Sequence, residues 1–164
     1  MAEVRKPSAN ARRSAARLVA VQALYQMAST GIDTETVIGE FVQHRFETEI
    51  DGERMVPPDP ALFGDIVRGT SDRAADIRPM IAGALDRSWS VERLEKLLAA
   101  ILSAGAWELL ANAEVDARLA IAEYVAVAHA FFGGSEPAMV NAVLDRLARE
   151  LRPDEMAPAG RDGA

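Results

Sequence analysis

Ile121, Tyr124, Val125, Ala128, Phe131 and Phe132 recur every three or four residues, and Val140, Val143, Leu144, Leu147 and Leu151 repeat the pattern after a glycine pair. That spacing puts each set on one face of an α-helix. Gly133 and Gly134 are expected to take the positive φ angles that end a helix, with Ser135 as the N-cap of the next. A short connection then folds the second stripe back on the first as a helical hairpin. Neither helix is stable alone in water, so the hairpin needs the rest of the chain as its core.

The remaining segments supply that core. Residues 1–10 read as a flexible basic arm. From Ala11 the segment ARRSAARLVAVQALYQMAS holds no glycine or proline and forms the first helix. Leu18, Val19, Val21, Leu24 and Tyr25 make it apolar nearly all round, which predicts an inner helix ended by Gly31. Asp33 or Thr34 caps the next, with Val37, Ile38, Phe41, Val42 and Phe46 inward.

The stretch ETEIDGERMVPPDP is the longest loop, and residues 49–58 are its expected subdomain boundary. Asp59 then caps a helix closed by Gly69, and Thr70 or Ser71 opens another that Pro79 kinks or restarts. Ser90 should cap the longest helix, running to Leu109, where Gly105 suggests a close backbone approach. Asn112 to Asp116 is a turn, and residues 153–164 read as a disordered tail after a helical domain of residues 11–152. No β-type alternation is sustained, so the fold class is all-α, with about seven helices in two small subdomains.

At 164 residues the chain can bury about 70% of its unfolded surface without staples. It has no cysteine and only His44 and His129, which argues against disulfides, a metal site or any cofactor. No stretch reaches a membrane span or a signal peptide, so the expected location is cytoplasmic. The net charge is −7, yet residues 1–17 hold Arg5, Lys6, Arg12, Arg13 and Arg17 against Glu3 alone. A basic end therefore sits on an acidic body.

Nucleophile elbows, phosphate-cradling loops and HExxH are all absent, and Glu108, Glu114 and Glu123 are more simply solvated or capping carboxylates than a catalytic base. The expectation is therefore a protein that is not an enzyme. Arg13 and Arg17, four residues apart on one helix face, suit successive phosphates, and Tyr25 two turns on offers a ring for an unpaired base. The plainer alternative is a solvated helix start with Tyr25 in the core. Asn141 and Asp145 could cap or bridge neighbouring helices, or meet a ligand.

ARRSAARLVAVQALYQM resembles the opening helix of the NusB family of transcription antitermination factors. SWSVERL (Ser88–Leu94), AILSAGAWELL (Ala100–Leu110), LAIAEYVAVAHAFFG (Leu119–Gly133) and MVNAVLDRLA (Met139–Ala148) resemble the same family in the same order. The resemblance implies a two-subdomain helical protein that binds single-stranded boxA RNA of ribosomal RNA leaders. It would do so with the ribosomal protein NusE, in an antitermination complex on RNA polymerase. By position, Arg12, Arg13 and Arg17 would contact phosphates, while Gln22 and Tyr25 would face RNA. Met139 and Asn141 lie in the family's FVNG pattern, here MVNA, and the family's INEA is here IAEY. Monomer and homodimer are both open.

Two other readings stand beside this one. In the first, the acidic body is an adaptor for a basic protein. In the second, the module serves an RNA cytosine methyltransferase of a related family, for which the chain has neither the expected length nor the cysteine.

Overall fold

The computed structural model describes residues 6–46, 49–50 and 53–158. The fold is all-α. Among the described residues there are eight α-helices: α1 Ala9–Thr30, α2 Thr34–His44, α3 Pro60–Asp72, α4 Ala74–Ala84, α5 Lys96–Ala111, α6 Ala117–Phe131, α7 Glu136–Leu151 and the single-turn α8 Pro153–Met156. A 3-10 turn, Val91–Arg93, precedes α5, and the loop after α2 holds a two-residue antiparallel ladder pairing Glu49 with Arg54 and Ile50 with Glu53. Contacts divide the chain into two compact units, Met1–Arg68 and Gly69–Ala164, so the division falls inside α3. Residues 49–58, where a boundary was expected, lie wholly in the first unit.

In the first unit α1 starts at Ala9, two residues before the expected Ala11, because the Ser8 hydroxyl accepts from the Ala11 amide at 3.1 Å. It ends at Gly31, whose φ of 75° is the left-handed cap that glycine adopts without steric penalty. Asp33 caps α2 through the Thr36 amide at 2.8 Å. Asp59 caps α3 through the amides of Ala61 and Leu62, at 3.0 and 3.1 Å. The Asp59 amide itself donates to the Arg12 carbonyl at 3.0 Å, which ties the end of the long loop to the first turns of α1. Phe63 of α3 stacks on Phe41 of α2 at 6.0 Å and meets the edge of Phe46 at 5.1 Å.

The second unit departs from expectation at the helix ends. Gly69 does not close α3, which continues through Thr70 and Ser71 to Asp72. A β-carbon on Gly69 would stand 2.1 Å from the Trp107 indole, so glycine serves close packing there and not a stop. Neither Thr70 nor Ser71 opens α4, which starts after Arg73 and runs through Pro79 without restarting.

Ser90 precedes only the 3-10 turn, and its hydroxyl donates to Glu92 at 3.0 Å. α5 instead begins at Lys96, with the Glu95 carboxylate accepting from the Leu97 amide. It has 16 residues against 22 in α1, so it is not the longest helix.

α5, α6 and α7 form the core of this unit, with Ile101, Leu102, Tyr124, Val140 and Leu144 all fully buried. At Gly105 the close neighbours are side chains and not the backbone that was expected: a β-carbon there would lie 2.8 Å from Leu144 Cδ1 and 3.4 Å from the Tyr124 ring. The hairpin is present, but its turn works differently. Neither Gly133 nor Gly134 takes a positive φ, and α6 ends because Phe132 turns extended, at φ −127° and ψ 135°. Ser135 holds the N-cap position of α7 without a side-chain bond.

Residues 153–158 are ordered structure where a disordered tail was expected, while 159–164 lie outside the described residues. Arg152 donates to the carbonyls of Glu108, Leu109, Asn112 and Val115, at the end of α5 and in the following turn, where helix carbonyls run short of intrahelical donors. The Glu155 carboxylate accepts from the Ala117 amide at the start of α6, and Met156 is buried. Proline and glycine in this stretch suggested a chain end with nothing to bind, and the capping groups outweigh them.

Candidate nucleic-acid interface

α1 contains Arg12, Arg13 and Arg17 and no acidic residue. Arginines in a first turn oppose the positive end of the helix dipole, so their placement does not serve helix stability. Arg13 is exposed, with one guanidinium nitrogen 3.4 Å from Asn10 Oδ1. Arg12 is half-buried, and its Nε is enclosed with no hydrogen-bond partner. Arg17 is only 2% exposed.

The spacing argument set Arg13 and Arg17 on one helix face as a pair of phosphate grips. They do share a face, but by Arg17 that face has turned into the interior. A guanidinium with so little surface has none to offer a phosphate in this conformation, which corrects its expected role as a direct contact.

Tyr25 is 41% exposed and Gln22 is half-buried. At 100° per residue Gln22 and Tyr25 fall on the side of α1 away from the buried row of Arg17, Ala20 and Leu24. The core alternative for Tyr25 therefore does not describe its position. The expectation of an inner helix also needs correcting, because Leu18 and Val19 are half-exposed with it. The helix buries Ala16, Arg17, Ala20, Val21, Ala23 and Leu24 instead. Hydropathy counts how many apolar side chains a helix carries, whereas small side chains decide which face admits a close neighbour.

In the second unit, Met139 is 8% exposed and Asn141 is exposed. Two residues along a helix is more than half a turn, so one points into the core when the other points out. Met139, expected as an RNA contact, is a core side chain here. Asp145 does not bridge helices; it accepts from Arg149 of its own helix at 2.8 Å.

Of the candidate carboxylates, Glu108 is fully buried and accepts from the Asn112 side chain at 3.0 Å, while Glu114 is exposed. Among the described residues no three His, Cys, Asp or Glu side chains are grouped to hold a metal ion, and no helix is long and apolar enough to cross a membrane.

The sequence profile of the NusB family matches residues 14–149. A transcription antitermination protein NusB of Bradyrhizobium sp. (strain BTAi1) is 47% identical over 147 residues, which is 90% of this chain and 87% of that protein. The solved NusB of T. maritima superimposes with a TM-score of 0.70 at 25% identity, over 88% of this chain and 95% of the other. A chain from a structure described as a plectonemic RNA supercoil has the same fold, with a TM-score of 0.71 at 19% identity, over 85% of this chain and 95% of that one.

Proposed function

This chain belongs to the NusB family of transcription antitermination proteins, which are not enzymes, and on that premise we propose that it binds single-stranded RNA of the boxA type through α1. The observation that carries the reading is the composition of α1, which has two surface-reaching arginines, a 41% exposed tyrosine and no carboxylate, on a chain of net charge −7. Local positive charge on an acidic protein concentrates a polyanion at one place instead of coating the surface.

In this reading Arg12 and Arg13 meet phosphates, Tyr25 stacks on a base, and Gln22 offers its amide to a base edge, while Asn141 of the second unit is a separate proposed RNA contact. Arg17 supports the surface of α1 from beneath, and Met139 belongs to the core of its own unit. The ribosomal protein NusE is the proposed partner, the antitermination complex on RNA polymerase the setting, and the cytoplasm the location. A same-fold chain found in a structure of an RNA supercoil is consistent with RNA as a ligand.

The experiment is an affinity measurement with a labelled single-stranded boxA RNA at several salt concentrations, with and without the ribosomal protein. Saturable binding that weakens with salt, at a slope of about 0.7 per phosphate contact, supports the reading. Tight binding to the ribosomal protein with no RNA affinity in either arm would favour the adaptor.

A further inference from the structure

α1 buries three alanines, Val21, Leu24 and an arginine while leaving Leu18, Val19 and Tyr25 partly in water. Burial of apolar surface is the main source of stability, so a helix that turns a leucine outward and an arginine inward is not arranged for the core alone. Leu18, Gln22 and Tyr25 stand at positions i, i+4 and i+7 and so form one row on the outer side of the helix. Leu18 and Tyr25 are about 10 Å apart along the axis, with the Gln22 amide between them.

We propose that Leu18 is a second base platform of the RNA site, so that α1 holds two bases of one strand, one on the Tyr25 ring and one on the Leu18 side chain. The inference rests on the RNA-binding reading above and extends it to a residue that sequence reasoning placed inside. Base faces pack on aliphatic as well as aromatic side chains. The occupant is a nucleic acid strand because the row lies on a helix that has arginines at its start and no acidic residue, which complements a polyanion and repels no phosphate. Gln22, between the platforms, can pair its amide with a base edge, so this row would contribute sequence preference as well as affinity.

The test uses the full chain and a labelled single-stranded boxA RNA, with each base in turn replaced by an abasic site. Leu18→Gln should bind about fivefold more weakly with an unchanged salt slope, since an apolar contact and not a charge is lost. Leu18→Met should stay within about twofold. One abasic position should weaken binding to the wild type but not to Leu18→Gln, and it should differ from the position that Tyr25→Ala makes silent.

Leu18→Ala, read beside a circular dichroism spectrum, replaces the glutamine variant if that one unfolds. If wild type binds RNA and Arg13→Gln weakens it while every Leu18 variant binds normally, the second platform is overturned and the RNA reading stands. If wild type does not bind RNA at all, both fall together. Leu18→Gln that keeps RNA affinity but loses the ribosomal protein would also overturn the proposal, assigning the row to a protein partner.

Discussion

Leu144 Cδ1 of α7 sits 2.8 Å from where a β-carbon on Gly105 of α5 would be, so the two helices meet at a point that admits no further atom. In an exposed helix, alanine in place of glycine would add about 1 kcal/mol of stability. Here Leu144 is fully buried and cannot swing aside, so Gly105→Ala should destabilise by about 1–3 kcal/mol. Leu144→Ala should cost about 2–5 kcal/mol through the cavity it leaves. The double variant should lose less than the two combined, because each substitution relieves the other. Urea unfolding of the three variants measures this, and strict additivity would show that the contact is not shared.

Arg152 holds the carboxyl end of α5, so its loss should be felt away from its own helix. Arg152→Ala strips donors from four carbonyls, all of them part-buried contacts of a side chain nearly enclosed by protein, and should destabilise by about 3–5 kcal/mol. Arg152→Lys should recover only part, since an ammonium cannot span the same set of acceptors. Hydrogen exchange should accelerate first at the end of α5 and the start of α6. A variant as stable as wild type would mean that water satisfies those carbonyls equally well.

Tyr25 is exposed enough for binding and stability to separate. Tyr25→Ala should lower RNA affinity by about 1–3 kcal/mol with little change in melting temperature, and Tyr25→Phe should keep most of the binding. Arg12→Gln and Arg13→Gln should each reduce the salt slope by about 0.7. Point variants suit this better than deletion of residues 1–13, which would remove the Ser8 cap and the first turn of α1 as well. Loss of stability in Tyr25→Ala with unchanged affinity of the folded fraction would take the ring out of the site.

Acid should loosen the first unit at two defined groups. The Thr36 amide holds Asp33 below its ordinary value, and the Arg68 guanidinium does the same for Glu35, which it grips at 2.7 and 3.0 Å. A depressed carboxylate contributes stability above its unfolded value and loses it as pH falls through the folded one. Both contributions should therefore be complete at neutral pH and disappear below the ordinary carboxylate range. Glu35→Gln and Asp33→Asn should flatten the acid side of the stability curve and leave its neutral-to-alkaline course parallel to wild type. Unchanged acid curves would show that water already screens both groups.

The period of the apolar residues, the N-caps Asp33 and Asp59 and the C-cap Gly31 were enough to read an all-α chain and most of its helix positions, because periodicity and capping are properties of a few adjacent residues. The same local rules misplaced Gly69, Gly133, Gly134, Ser90 and the stretch after Leu151. At each of these the outcome depends on a group far along the chain or on a backbone choice that several residues share: the Trp107 ring over Gly69, the extended Phe132, the carbonyls gathered by Arg152. For the candidate interface, charge composition located the basic start of α1 and the spacing picked out Tyr25. Which side chains reach solvent was decided only by packing. Alanines at positions 16, 20 and 23 admit close neighbours and draw Arg17 inward, and by the same rotation Leu18, Gln22 and Tyr25 are carried to the surface.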